Sequence, residues 1–160
     1  MLTLGIDPGT ATTGYGLIAE DNNKLVFVEH GIISTSPKDD AQTRLKQIYG
    51  KIKAIITKHQ PTIVAIERLY FGANTKTAIA VGQSRGIALL AAAEAKTPVA
   101  EYTPLQVKMA ITGYGRADKK QIQQMVKALL GLKEIPKPDD AADALAIAIC
   151  HLHSYRLLSL

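Results

Sequence analysis

Two short apolar runs, Leu2-Thr-Leu-Gly-Ile-Asp7 and Thr62-Ile-Val-Ala-Ile-Glu67, each end in a carboxylate. Pro8-Gly9-Thr10 stops the first, and Pro61 stands ahead of the second. Short apolar segments bounded by Gly/Pro punctuation read as buried strands. Buried strands that deliver acids at their C-terminal tips are where α/β folds place active sites. Taken alone, Asp7 has two readings: a functional acid, or a cap that bonds the backbone N–H groups of its own turn.

The rest of the chain fixes the class. Gly14–Ala19 and Leu25–Val28, continuing through Ile32-Ile33, are two more strands around the turn Asp21–Lys24, so the chain opens with an antiparallel meander. From Asp40 to His59, apolar residues recur at helical spacing (Leu45, Ile48, Ile52, Ile55, Ile56), which predicts an amphipathic helix. An Ala-rich helix over 74–96 carries Gly82 and Gly86 four apart, a spacing that lets another backbone come close. Two partners fit that face equally: a second subunit, or the sheet of the same chain. Pro98–Glu101 is a fifth strand, followed by helices over 104–111, 118–130 and 139–155. The expectation is one α/β domain over residues 1–160, a five-stranded mixed sheet flanked by helices.

With 19 Lys+Arg against 14 Asp+Glu, the chain carries a net charge of +5, which leans toward a polyanionic partner such as nucleic acid. A single cysteine, Cys150, excludes a disulfide framework and reads as a small core residue. The N-terminus has no signal-peptide pattern, and the most apolar run, Ala88–Ala95, is short and contains Glu94. A soluble, intracellular protein without a membrane partner is expected.

The last helix adds a second pair of acids. Asp140 and Asp143 lie at i and i+3, roughly 60° apart around the axis, on a face that continues through Ala144 and Ile147. An unpaired carboxylate on such a packed face costs roughly several kcal/mol, a difficulty that a bound cation removes. Asp139, after Pro138, fits an N-cap. Asp140 has a bland alternative as a solvated first-turn charge, and Glu67 as a partner of Arg68 or a lysine. Hard oxygen donors without a Cys/His cluster indicate Mg²⁺ or Mn²⁺, and several carboxylates around one point suit two ions, as in enzymes that cleave phosphodiesters. In that reading Asp7 bridges the ions while Glu67, Asp140 and Asp143 complete the shells. His151 and His153 fall on different helix faces and read as surface residues.

Ile6-Asp-Pro-Gly-Thr10, Ala65-Ile-Glu67 and Asp140-Ala-Ala-Asp-Ala-Leu-Ala146, in this order and over this length, resemble the RuvC crossover-junction endodeoxyribonucleases. The resemblance covers essentially the whole chain. It implies a ribonuclease H-like fold, a homodimer, and Mg²⁺-dependent resolution of Holliday junctions in recombination and repair, with Mn²⁺ as a substitute. It implies Asp7, Glu67, Asp140 and Asp143 as catalytic acids and metal ligands, although family members vary at the position of Asp140, some carrying histidine. The family places an aromatic residue in a loop after the strand-end glutamate; Tyr70 matches it best and Phe71 is adjacent. A ring there can stack on an unpaired base or fold over the sheet edge. Lys108 and Lys119 match basic residues beside the scissile phosphate and along the DNA arms, and Arg116 and Lys120 extend that stretch. The resemblance further implies a bacterial, cytoplasmic protein that works with a branch-migration helicase.

Three rivals stand beside this reading. An actin- or sugar-kinase-type ATPase shares Asp-x-Gly-Thr but needs a second comparable domain. A non-catalytic junction-binding protein would use the same acids structurally. A ribonuclease H-like nuclease with another substrate, such as an RNA/DNA hybrid, would keep the same acidic constellation.

Overall fold

The computed structural model describes residues 1–68 and 75–158, with side chains over 1–68 and 77–155. Tyr70 and Phe71 lie outside the described residues. The elements run β1 (Leu2–Asp7), β2 (Thr12–Asp21), β3 (Lys24–Ser34), α1 (Ala41–His59), β4 (Ile63–Glu67), α2 (Thr75–Glu94), β5 (Val99–Tyr102), α3 (Pro104–Thr112), α4 (Lys119–Leu129) and α5 (Asp139–Leu158). The expected mixed sheet is present in the order β3-β2-β1-β4-β5, antiparallel through β1, β2 and β3 and parallel through β1, β4 and β5. The meander strands are longer than their apolar runs suggest, because β2 and β3 pair from Thr12↔Ser34 to Asp21↔Lys24 across a shift at Leu17/Ile18. Among the described residues, no helix is long and apolar enough to cross a membrane.

The two faces of the sheet have different jobs. Leu4, Ile6, Val64 and Ile66 point to one side, where Ile48, Ile52 and Ile56 of α1 and Ala88, Ala91 and Ala92 of α2 complete a core. With the period of two in a strand, Thr3, Gly5 and Asp7 of β1 and Ala65 and Glu67 of β4 point the other way. That face receives α5, and α3 and α4 pack outside it through Val107, Ile111, Ile122 and Val126. Cys150 is buried there as expected, and burial pushes its thiol up to about 11, so it behaves as an inert core group.

Close approach of α5 depends on missing side chains. A Cβ on Gly5 would come within 2.0 Å of the Ala144 carbonyl oxygen, and one on Gly14 within 1.9 Å of the Asp140 carbonyl oxygen. Gly14 is also the β2 partner of Asp7. The backbone of α5 therefore lies directly on the two strands, with its first turns over the end of β1.

One of the two alternatives for α2 is set aside at Gly86, and one expectation about α5 is corrected. Gly86 is exposed, and a Cβ added to it would meet nothing within 4 Å, so it does not pack on the sheet of its own chain. His151 is not a surface residue: it is 4% exposed, and its Nδ1 lies 2.8 Å from the Tyr102 hydroxyl. His153 is half-buried, with Nδ1 3.0 Å from the Ala110 carbonyl. The cause is that α5 is buried on all sides from Ala144 to Leu152, as a helix that is apolar all round must be.

Candidate active site

Strand register brings the first two acids together. β1 and β4 pair in parallel through Gly5↔Ala65 and Ile6↔Ile66, so Asp7 and Glu67 are the next residues of adjacent strands. Neighbouring strands are about 4.8 Å apart, and both side chains leave the sheet on the α5 side. The seat provided by Gly14 then sets Asp140 and Asp143 over the same strand ends. Asp7, Glu67 and Asp143 line a cleft of about 250 Å³ together with Lys108 and Lys119. Asp140 opens into a neighbouring groove of about 560 Å³ with Gly9, Thr10 and Arg44. The i, i+3 pair thus straddles the end of β1 rather than filling one cavity.

The acids feel one another strongly. Burial, then the negative charges of Asp143, Glu67 and Asp140, push the Asp7 carboxyl from its ordinary 3.8 up to about 7, against the opposing pull of Lys119. Burial and Asp143 raise Glu67, while Lys108 pulls it down. Burial raises Asp143, Lys119 opposes that, and Asp139 and Asp140 reinforce it. Such mutual repulsion at a half-buried point is the electrostatic condition of a functional site rather than of a stabilising ion pair.

The two cleft lysines have separate origins. Lys108 lies in α3, whose start is fixed by a capping box between Thr103 and Gln106. Lys119 is the first residue of α4, held by the Asp118–Gln121 capping box. Its ammonium is 3.2 Å from Asp143 and 3.3 Å from Asp139. Burial works against that charge, but Asp143 and Asp139 outweigh it and keep Lys119 above its ordinary value. Asp139 is not the N-cap expected of it: it is the first residue of α5, and the Pro138 carbonyl accepts from Ala141 N and Ala142 N. Its carboxylate instead ties α5 to α4 through Lys119 and Gln123. Of the remaining basic residues, Arg116 is exposed in the α3–α4 connection, and Lys120 lines a separate surface groove beside Tyr114.

The turn after β1 does not depend on Asp7. Thr13 closes it, accepting from Gly9 N at 3.3 Å and donating to Gly9 O at 2.6 Å. Thr10 fastens it to α2 by donating to the Ala80 carbonyl at 2.9 Å. The Asp7 carboxyl is left without a hydrogen bond among the described residues, which sets the turn-cap reading aside. Arg44, which sequence reasoning missed, donates from Nε to Thr35 Oγ1 at 2.8 Å beside that turn.

The donor set is chemically suited to a hard divalent cation, being carboxylate oxygen throughout, with no thiol or imidazole facing it. Among the described residues, no three acidic, histidine or cysteine side chains stand gathered around one point as a finished cage. Lys119 holds Asp143 instead. The fit is thus one of chemistry and placement.

A 3-2-1-4-5 mixed sheet with helices on both faces, and acids where its two central strands meet the last helix, defines the ribonuclease H-like class. The family described as crossover junction endodeoxyribonuclease RuvC matches residues 3–151. A crossover junction endodeoxyribonuclease RuvC from Desulfitobacterium hafniense is 61% identical over 159 residues, covering 99% of this chain and 96% of the relative. The solved structure of Thermus thermophilus RuvC in complex with Holliday junction substrate superposes with a TM-score of 0.93 at 38% identity, over 99% of this chain and 97% of that one. The yeast mitochondrial Holliday junction resolvase Ydc2, at 15% identity and a TM-score of 0.71, shares the fold. The chain belongs to the crossover junction endodeoxyribonuclease RuvC family.

Proposed function

We propose that this chain is an endodeoxyribonuclease that resolves Holliday junctions by metal-dependent phosphodiester hydrolysis. The observation that carries the reading is the meeting of Asp7, Glu67 and Asp143 with Lys108 and Lys119 in one cleft of this fold. Asp7, Glu67, Asp140 and Asp143 would hold Mg²⁺, two ions per site, with Mn²⁺ able to replace it. Bound there, the metal supplies an activated water and charge stabilisation at the leaving 3′ oxygen. Asp7, raised to about 7, has its full ligand strength only when a cation relieves the repulsion around it. Lys108 and Lys119 orient the phosphodiester and stabilise the negative charge that builds on it. Lys119 also positions Asp143, and through Asp139 it links α4 to α5.

Paired cuts in opposite strands follow if two copies act as a homodimer, because the twofold symmetry of a four-way junction then matches that of the protein. We place the interface on α2, where Ile79 (64% exposed) and Leu90 (49% exposed) flank exposed Gly86. Arg116, Lys120 and the Tyr70-Phe71 pair are the proposed contacts to the DNA arms and the junction centre. The domain spans residues 1–160, and the protein works in the bacterial cytoplasm with a branch-migration helicase.

The test is cleavage by the wild-type protein of a four-way junction against linear duplex, nicked duplex and RNA/DNA hybrid, with Mg²⁺ and with chelator. Preferential, Mg²⁺-dependent cutting of the junction is expected. Asp7→Asn should keep junction binding and lose cleavage. Wild-type cutting rates in that variant would remove the metal assignment, and equal cutting of all substrates would remove the junction assignment.

A further inference from the structure

We infer that Arg44 is a second DNA-backbone site, its guanidinium gripping a phosphodiester of the strand that runs into the acids from the groove beside the β1–β2 turn. The inference rests on the nuclease reading of the same site. The groove is distinct from the lysine cleft, with which it shares no lining residue, yet Asp140 lines it as Lys108 and Lys119 line the other. A strand crossing the four acids must therefore leave the lysine cleft on one side and meet this groove on the other.

Arg44 is prepared for a phosphate in three ways. First, it is half-buried and held from behind: Nε donates to Thr35 Oγ1 at 2.8 Å, and Thr35 Oγ1 donates to the Thr10 carbonyl at 2.6 Å. The chain of bonds ends three residues from Asp7, so the position of the guanidinium is tied to that of the acids. Second, with Nε occupied, both Nη nitrogens are presented together, the arrangement that takes two oxygens of a phosphate at once. Third, among the described residues Arg44 has no ion pair and no Nη hydrogen bond, although Asp140 lines the same groove. Lys119, by contrast, is already committed to two carboxylates. The rest of the groove suits a sugar–phosphate chain: Thr12 and Thr77 offer hydroxyls, and Ala80 and Val81 an apolar wall.

Charge and tether can be separated by substitution. Arg44→Gln removes the charge while its amide can still donate to Thr35, whereas Arg44→Lys keeps the charge. Each protein is titrated with a four-way junction in the absence of divalent ions over a range of KCl, after its melting temperature has been compared with wild type. Arg44→Gln is expected to weaken junction binding roughly tenfold at 0.1 M salt. The slope of log Kd against log salt should flatten by about 0.9 for each subunit bound, while Arg44→Lys keeps the wild-type slope. A wild-type slope in Arg44→Gln would overturn the inference, as would an equally flattened slope in Arg44→Lys. If Arg44→Gln does not fold, Thr35→Val decides: loosening the guanidinium should cost affinity at unchanged slope, and wild-type affinity would count against the site. Failure of wild-type protein to bind or cut the junction would instead strike the nuclease reading itself.

Discussion

The four acids make a prediction about folding that needs no DNA. In the absence of divalent cations, Asp7→Asn should be more stable than wild type at neutral pH. Raising a carboxyl from 3.8 to about 7 means that the folded state resists ionisation, so stability present below pH 3.8 is lost progressively as pH rises to about 7. At about 1.36 kcal/mol per pH unit, the loss is about 1.6 kcal/mol at pH 5 and on the order of 4 kcal/mol at pH 8. Asn keeps the shape and cannot ionise, so the variant should recover that difference, about 10 °C in Tm at pH 8 for a chain of this size. The assay is thermal and urea denaturation in EDTA from pH 5 to 8. Adding Mg²⁺ or Mn²⁺ should raise wild-type stability by mass action and leave the variant nearly unmoved. A variant no more stable than wild type at pH 8, or an advantage that does not grow between pH 5 and 8, would refute the idea that burial and the neighbouring negative charges hold Asp7 against ionisation in the folded state.

Three further outcomes are expected. Gly14→Ala, which drives a Cβ into the Asp140 carbonyl, should cost about 1–3 kcal/mol and lower cleavage about 10²-fold by shifting α5; denaturation midpoints and single-turnover rates measure the two effects. Lys119→Ala should lower cleavage about 10²-fold yet tighten divalent-cation binding, because its ammonium no longer holds Asp143; Mn²⁺ titration of thermal stability separates these from a simple folding defect. Tyr102→Phe should destabilise by about 1–3 kcal/mol, because it leaves the buried His151 Nδ1 without its partner, and should leave the metal response unchanged.

Much of the architecture was legible because the strands that matter are short apolar runs with their acids at the same end. Asp7 and Glu67 announce themselves that way, and the i, i+3 spacing of Asp140 and Asp143 points to a shared helix face. That spacing could not show that the two open into different grooves; the division follows from where Gly14 seats the α5 backbone, a long-range contact. Nor did it show Asp139 as a link to Lys119, since Pro-Asp at a helix start looks like a cap. The burial of His151 does have a sequence signal: the unbroken apolar stretch from Ala144 to Cys150 implies a helix with no wet side. Arg44 also left a trace. It is the fourth residue of α1, where the helix dipole favours acids, and the first turn of that helix contains none. The 69–74 segment carries Tyr70 and Phe71, and their chemistry was legible only through resemblance.

The seating of α5 on Gly5 and Gly14 has a consequence for how the acids come together. β1 carries Asp7 and α5 carries Asp140 and Asp143, more than a hundred residues apart in sequence. A chain without α5 presents Asp7 and Glu67 at adjacent strand ends but lacks Asp140 and Asp143. The four acids therefore meet only once α5 has settled on Gly5 and Gly14, which makes their convergence a product of tertiary packing rather than of any one element.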